Sequence, residues 1–168
     1  EADFSPLPLP DEPGNGYHIN LYAVDADGND VVRYAAAGII NRIREITVFL
    51  NPSKESYSRL GKNCAPDRIN WSSAGESELI YIETYKGNTR AELRSPDASG
   101  NPYLVYALLI YAGLEGIQQK MELSDDVNSC PQLLPGSLKE ASAAAGESDF
   151  VKKIIPEGII QKYIGMQQ

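Results

Sequence analysis

Residues 88–109 read NTRAELRSPDASGNPYLVYALL. Arg90, Glu92 and Arg94 alternate with Ala91 and Leu93. Side chains along a strand point to opposite faces in turn, so this spacing predicts a strand with three charges on one face and two apolar residues on the other. Pro-Asp and Gly-Asn-Pro then interrupt the chain, and an apolar run follows. Asn101 suits a helix cap and Pro102 the first helical position, which predicts a helix running to about Met121. Its stretch YLVYALLIYAGL is apolar nearly all round. Burial is therefore expected, with Tyr103, Tyr106 and Tyr111 inside as packing residues. A strand, a punctuated turn and a buried helix in this order set the architecture around which the remaining segments fall.

Immediately upstream, INWSSAGESELIYIETY supplies a strand from about Glu78 to Tyr85, and Lys-Gly-Asn turns it back into the charged strand as a hairpin. Further upstream, YHINLYAV sets His18, Asn20 and Tyr22 against Tyr17, Ile19, Leu21 and Ala23, and DADGND closes it as a turn. The proline-rich segment before it, EADFSPLPLPDEPGNG, reads as an extended loop. Between the two strand regions, Val32, Ala36, Ile39, Ile40, Ile43 and Ile46 recur at helical spacing, which predicts an amphipathic helix from Val31 to Leu50 ending before Asn51-Pro52. The loop NPSKESYSRLGKNCAPDR follows and is long enough to carry function. Downstream, Ser137 and Glu140 stand at capping-box spacing, a second short helix begins near Ser148 and a last one near Pro156. The pattern is α+β: an antiparallel sheet with packed helices, in one domain.

A chain of 168 residues with 42% apolar content can bury a single core. Its net charge of −8 opposes nucleic acid or an anionic membrane as the main partner. Cys64 and Cys130 lie in no metal-ligand or redox spacing, so they read as free thiols of a reducing compartment, which points to the cytoplasm. No apolar run reaches membrane-spanning length. The start at Glu1 rather than Met, and the stop just after the apolar periodicity of GIIQKYIGM, are read as those of a piece of something longer.

The chemistry centres on His18 and Glu92, each on the polar face of a strand. Taken alone, the charges around Glu92 form either a cross-strand ladder worth ~0.2–1 kcal/mol per pair or the wall of a site. If the two strands are neighbours, His18 and Glu92 can share a divalent ion, with Arg90 and Arg94 as cationic arms for anionic groups beside it. Metal plus arginine neutralises charge on a transferring phosphoryl group.

The motifs carry a family resemblance. GNGYHIN looks like the Gly-Ser-Gly-Met-His-x-His segment of glutamine synthetases, and NPSKESYSRL looks like their Asn-Pro-Thr-x-Asn-Ser-Tyr-Lys-Arg-Leu. RAELRSPDASGNPYLVYALLIYAGLEGI is similar to their Arg-x-Glu-x-Arg-x-Pro-Asp-x-x-x-Asn-Pro-Tyr-Leu signature, and LPGSLKEA near the end is also typical. The matches keep the family's order over most of residues 4–165. The chain thus resembles the C-terminal part of the catalytic domain, so that residues 1–168 are one partial domain of a glutamine synthetase/guanido kinase-like fold. The resemblance implies ligation of ammonia, or another amine, to the γ-carboxylate of glutamate, with ATP as co-substrate and Mg²⁺ or Mn²⁺ as cofactor. It implies His18 and Glu92 as metal ligands, Arg59 and Arg94 as catalytic and glutamate-binding groups, Gly14 as a backbone contact to the substrate amine, and Arg90 on the ATP phosphates. It also implies a ring-shaped homo-oligomer, with the remaining acidic metal ligands on chain outside these residues, and no activity for these 168 residues alone.

The departures from the pattern are specific. The family's Val-Pro-Gly-Tyr-Glu-Ala-Pro loop reads GKNCAP, with Cys64 nearest its Glu, and Ser-Ala-Arg-Asn-Arg-Ser reads SSAGES, with Ala74 and Glu76 where phosphate-binding arginines are expected. Asn20 replaces the second His of the strand motif, and Tyr22 replaces a nucleotide-side Ser. Cys130 lies near the position of a regulatory Tyr in some bacterial members. Lys62 and Arg68 are candidates to restore charge. An alternative reading is therefore a catalytically weakened relative that binds nucleotide, metal or glutamate as a regulatory or structural subunit.

Overall fold

The computed structural model describes residues 2–75, 77–129 and 131–165; Glu1, Glu76 and Cys130, each invoked above, lie outside them. In chain order the elements are β1 (Ile19–Leu21), α1 (Val32–Leu50), α2 (Lys54–Arg59), β2 (Trp71–Ser72), β3 (Ile80–Tyr85), β4 (Asn88–Leu93), α3 (Pro102–Gln119), α4 (Asp126–Ser129), α5 (Leu138–Glu147), α6 (Asp149–Ile154) and α7 (Glu157–Gly165).

The sheet runs β1-β4-β3-β2. The β3–β4 hairpin pairs Ile80 with Leu93 through to Tyr85 with Asn88, and Lys86 and Gly87 turn it with φ of 50° and 82°. Two consecutive positive φ values give the turn a twist that matches the strands, and Gly87 accepts one without cost. β1 lies antiparallel on the other side of β4, Asn20 opposite Glu92. The β2 pairing differs from expectation. Trp71 and Ser72 run parallel to Ile80 and Tyr81, so the sheet is mixed. Asn70 explains the short parallel return: its side chain accepts the Leu79 N–H at 2.9 Å and its carbonyl the Ile80 N–H at 3.2 Å, closing the loop between the strands.

One sheet face supplies Ile19, Ile80, Ile82, Ala91 and Leu93 to the core beneath α1, whose Val32, Ala36, Ile39, Ile43 and Ile46 are fully buried. α1 in turn packs on α3, and the two backbones touch. A Cβ at Gly38 would collide with the Ala112 carbonyl and stand 2.7 Å from the Gly116 nitrogen; one at Gly116 would collide with the Tyr34 carbonyl. Two ion pairs fasten the rim. Arg42 Nε and Nη2 both donate to the Glu115 carboxylate at 2.7 Å, joining α1 to α3, and Arg44 reaches Glu140 on α5 at 2.6 Å.

The termini follow elementary capping. Asn101 accepts the Tyr103 N–H at 3.0 Å, and Ser137 that of Glu140 at 3.1 Å. The Glu140 carboxylate turns to the Gly136 N–H instead of completing the box on Ser137.

The expected all-round burial of α3 is corrected. Val105, Leu108, Leu109 and Ala112 are buried against α1, whereas Tyr103 is 84% exposed, and Tyr106, Ile110, Tyr111 and Leu114 are also open to solvent. An apolar composition states that a helix has partners. It does not state how many sides they occupy.

Because a methyl group at Gly116 has only backbone to push against, Gly116→Ala lowers stability by about 3 kcal/mol, measured as the shift in the urea or thermal midpoint. Glu115 is held below the ordinary carboxylate range by its hydrogen bonds from Arg42. Its contribution is thus present above its unfolded pKa of about 4.3 and lost as pH falls through the lower folded value. Glu115→Gln costs about 1 kcal/mol at pH 7, and that difference closes as pH falls through the lowered folded pKa of Glu115; urea titrations at neutral and acidic pH measure it.

Candidate active site

The sheet face turned away from the core carries the charges. Because Asn20 pairs with Glu92 and side chains alternate, His18 lies on the same face, diagonal to Glu92. Its Nδ1 stands 2.8 Å from Glu92 Oε1. The same oxygen accepts Arg94 Nη1 at 2.9 Å, while Arg90 Nη2 lies 3.4 Å from Glu92 Oε2 and 2.9 Å from Glu83 Oε2. Glu92 and Arg94 are each 9% exposed. The alternation in residues 90–94, with Glu83 on the neighbouring strand, therefore yields a cluster of two carboxylates, two guanidiniums and an imidazole on one wall.

Arg59 joins this wall from α2, which the sequence reading took for loop. Ser53 caps α2 reciprocally with Ser56, each side chain bonding the other's backbone N–H at 3.2 Å. The helix delivers Arg59 inward, where it is 3% exposed and its Nη2 donates to the carbonyls of Ser95 and Pro96. Burial pushes its pKa down, and the negative charge of Asp97 opposes the shift. Gly14 packs on its stem: a Cβ there would meet Arg59 Cδ at 2.7 Å and collide with the Pro6 carbonyl. Gly16 lies between the two functional groups, since a Cβ on it would stand 3.2 Å from His18 Nε2 and 3.6 Å from Arg59 Nη1. The missing side chain leaves a notch with an imidazole on one side and a guanidinium on the other. All six residues singled out in the sequence (Gly14, His18, Arg59, Arg90, Glu92 and Arg94) thus belong to one neighbourhood, with Arg90 at its far end.

Beyond Arg90, the face opens into a cleft of about 540 Å³ lined by Tyr22, Glu83, Tyr85, Asn88 and Arg90. A larger cleft of about 1350 Å³ lies over α1 between α3 and α6 and contains none of these six residues; Arg42 and Glu45, on its lining, are committed to partners on neighbouring elements.

His18 and Glu92 are nitrogen and oxygen donors of the type that Mg²⁺ or Mn²⁺ accepts. Among the described residues no group of three or more His, Cys, Asp or Glu is placed to hold a metal. Two donors fit such an ion, and the rest of its shell has to come from substrate oxygens or from other protein.

The substituted loop positions Cys64 and Ala74 are both exposed. Cys64 is exposed on a turn where it and Asn63 take positive φ, 66° and 46°. Ala74 is exposed, its N–H bound to Ser72 Oγ at 2.9 Å. Lys62 is exposed, and Arg68 sits 3.9 Å from Asp67.

What the sequence reading missed is the support. Asn51, read there merely as a helix end, is fully buried and donates from Nδ2 to the Ser95 carbonyl at 2.9 Å and to Asp97 Oδ2 at 3.0 Å. The Tyr17 N–H donates to the Pro96 carbonyl at 2.8 Å, one residue before His18. An Asn closing a long amphipathic helix, followed by a Pro-Asp turn, is the signal that was present. No periodicity connects the two.

The family model for the glutamine synthetase catalytic domain matches residues 1–168. Glutamine synthetase of Methanosarcina mazei is 36% identical over 191 aligned positions that take in 97% of this chain and 42% of that protein. The enzyme of Thermotoga maritima is 32% identical, with 97% of this chain and 43% of that protein covered. The chain thus spans less than half the length of these relatives. Among solved structures, a GmaS/ADP complex superposes with a TM-score of 0.81 at 22% identity, covering 98% of this chain and 44% of that one, which establishes a shared fold. With motifs, fold and a whole-chain family match in agreement, the chain belongs to the glutamine synthetase family, as the C-terminal part of its catalytic domain.

Proposed function

We propose that the protein carrying this chain is an ATP-dependent ligase that joins ammonia, or another amine, to the γ-carboxylate of glutamate. The observation that supports this reading most directly is the Gly16 notch, where Arg59 Nη1 and His18 Nε2 face one opening beside the Glu92–Arg94 pair. In the reaction a γ-carboxylate oxygen attacks the terminal phosphorus of ATP and ADP leaves. The amine nitrogen then attacks the acyl carbon of γ-glutamyl phosphate, inorganic phosphate leaves, and the nitrogen gives up a proton. Arg59 and Arg94 bind the glutamate carboxylates and the transferred phosphoryl group, as bidentate guanidiniums suit planar and tetrahedral oxyanions. The Gly14 backbone lies near the substrate amine, and Arg90 meets the ATP phosphates.

His18 and Glu92 supply two donors to a Mg²⁺ or Mn²⁺ ion, which offsets charge on the phosphoryl oxygens when bound. Arg90 and Arg94 hold the Glu92 carboxylate in place from both sides. The remaining metal ligands come from the rest of the catalytic domain, of which residues 1–168 form one portion. By family likeness the whole protein is a cytoplasmic, ring-shaped homo-oligomer.

The second reading, a weakened relative that binds without turnover, takes its support from Cys64 and Ala74, which stand where the family pattern has an acidic residue and a phosphate-binding arginine. Phosphate release decides between them, measured on the intact protein with ATP, Mg²⁺ or Mn²⁺, glutamate and a panel of amines. Amine-dependent release is expected, and Glu92→Gln should reduce kcat by ~10²–10³-fold. Absence of release with every amine would end the ligase reading.

A further inference from the structure

Arg59 poses an electrostatic problem that the site itself does not solve. A guanidinium that is 3% exposed has lost its hydration, and the two carbonyls on its Nη2 are dipoles, not charges. Burying an ion without a counter-charge costs several kcal/mol. Glu92 is committed to His18, Arg94 and Arg90. Among the described residues, the anion that acts on Arg59 is Asp97, one residue beyond the carbonyls that Arg59 grips.

Asp97 is itself fully buried and held from three directions. Asn51 Nδ2 donates to Oδ2 at 3.0 Å, the Ser99 N–H donates to Oδ1 at 3.0 Å, and the Ser99 hydroxyl donates to the same oxygen. Its own N–H donates to the Leu50 carbonyl at 3.3 Å, at the end of α1. Asn51 also holds the Ser95 carbonyl, so one amide orients both the carboxylate and an acceptor of Arg59. A carboxylate anchored so firmly, with no guanidinium in direct contact, acts over a short distance through a medium of low dielectric constant.

We infer that Asp97, oriented by Asn51, is a positioning residue for the ligase: its fixed negative charge offsets the burial of the Arg59 guanidinium and keeps it immobile on the Ser95–Pro96 carbonyls, so that Nη1 stays aimed at the notch where the glutamate carboxylate binds. The substrate-binding part of this inference rests on the ligase reading; the Asp97–Arg59 coupling does not. The direction of the Arg59 pKa agrees, since Asp97 is the group that offsets its desolvation.

The test has two arms. In the full chain labelled with ¹⁵N-arginine, the Arg59 Nε–H resonance, assigned by its loss in Arg59→Lys, is expected to exchange slowly with water. In Asp97→Asn it should exchange ~10-fold faster, while the Arg42 signals stay in place. An unaltered Arg59 resonance in Asp97→Asn overturns the inference. In the intact enzyme, Asp97→Asn should raise the KM for glutamate ~10-fold and leave that for ATP within ~2-fold. On an Arg59→Lys background it should add little, because the two changes remove one interaction. Equal increases in both KM values, or full multiplication of the two effects, also overturns it. If Asp97→Asn does not fold, Ser99→Ala removes one bond to the carboxylate from an exposed position and must move the Arg59 exchange in the same direction, or the inference fails. A wild-type enzyme that does not turn over counts against the ligase reading, and the resonance arm then decides this one.

Discussion

Two backbone carbonyls, those of Ser95 and Pro96, gather donors from three distant segments: Asn51 at the end of α1, Arg59 at the end of α2 and the Tyr17 N–H at the approach to β1. None of these contacts is a helix or strand hydrogen bond, yet the placement of His18, Arg59 and Arg94 depends on them. Tyr17 sets where His18 begins, Arg59 is seated directly, and Arg94 precedes Ser95 in sequence. Buried carbonyls demand donors, and an unmet one costs about 1–3 kcal/mol. Pro96 helps by fixing its own φ and holding Ser95 away from the helical region. The site is therefore assembled by main-chain hydrogen-bonding demand as much as by side-chain attraction.

The charged wall departs from the charge of the molecule as a whole. With 23 acidic and 15 basic residues the surface field is negative, whereas the wall brings Arg59, Arg90 and Arg94 together with His18, Glu92 and Glu83, so that cations and anions are matched there. A patch richer in guanidiniums than the rest of the surface suits an anion that must be drawn out of water into a particular orientation. Glu92 is enclosed on three sides, by His18, Arg90 and Arg94.

Much of this was legible in residues 88–109 because period-two alternation is a property of the backbone. Once Ala91 and Leu93 face the core, Arg90, Glu92 and Arg94 have nowhere else to point. Asn101-Pro102 marked the start of α3, and the spacing of Val32 to Ile46 marked α1, for similarly local reasons. The illegible parts are those that depend on contacts between segments. β2 spans two residues and has no period. α2 has six, and its Ser-Ser cap departs from the usual Ser-Glu form. The open side of α3 could not be told from the covered one, since Tyr106 and Leu108 are equally apolar in composition while their neighbours differ. The inward direction of Arg59 follows from carbonyls 36 and 37 positions away, which no motif encodes.

The crossing of α1 over α3 has a mechanical consequence. Where side chains separate two helices, small rotamer changes allow one to creep along the other. At Gly38 and Gly116 there is no such cushion, and main chain rests on main chain. Sliding by even part of a turn would drive carbonyl into carbonyl, so the pair behaves as a single rigid beam. Any rearrangement in this part of the fold has to be absorbed in the connections at its ends, residues 51–70 and 94–101, which carry Arg59 and Arg94.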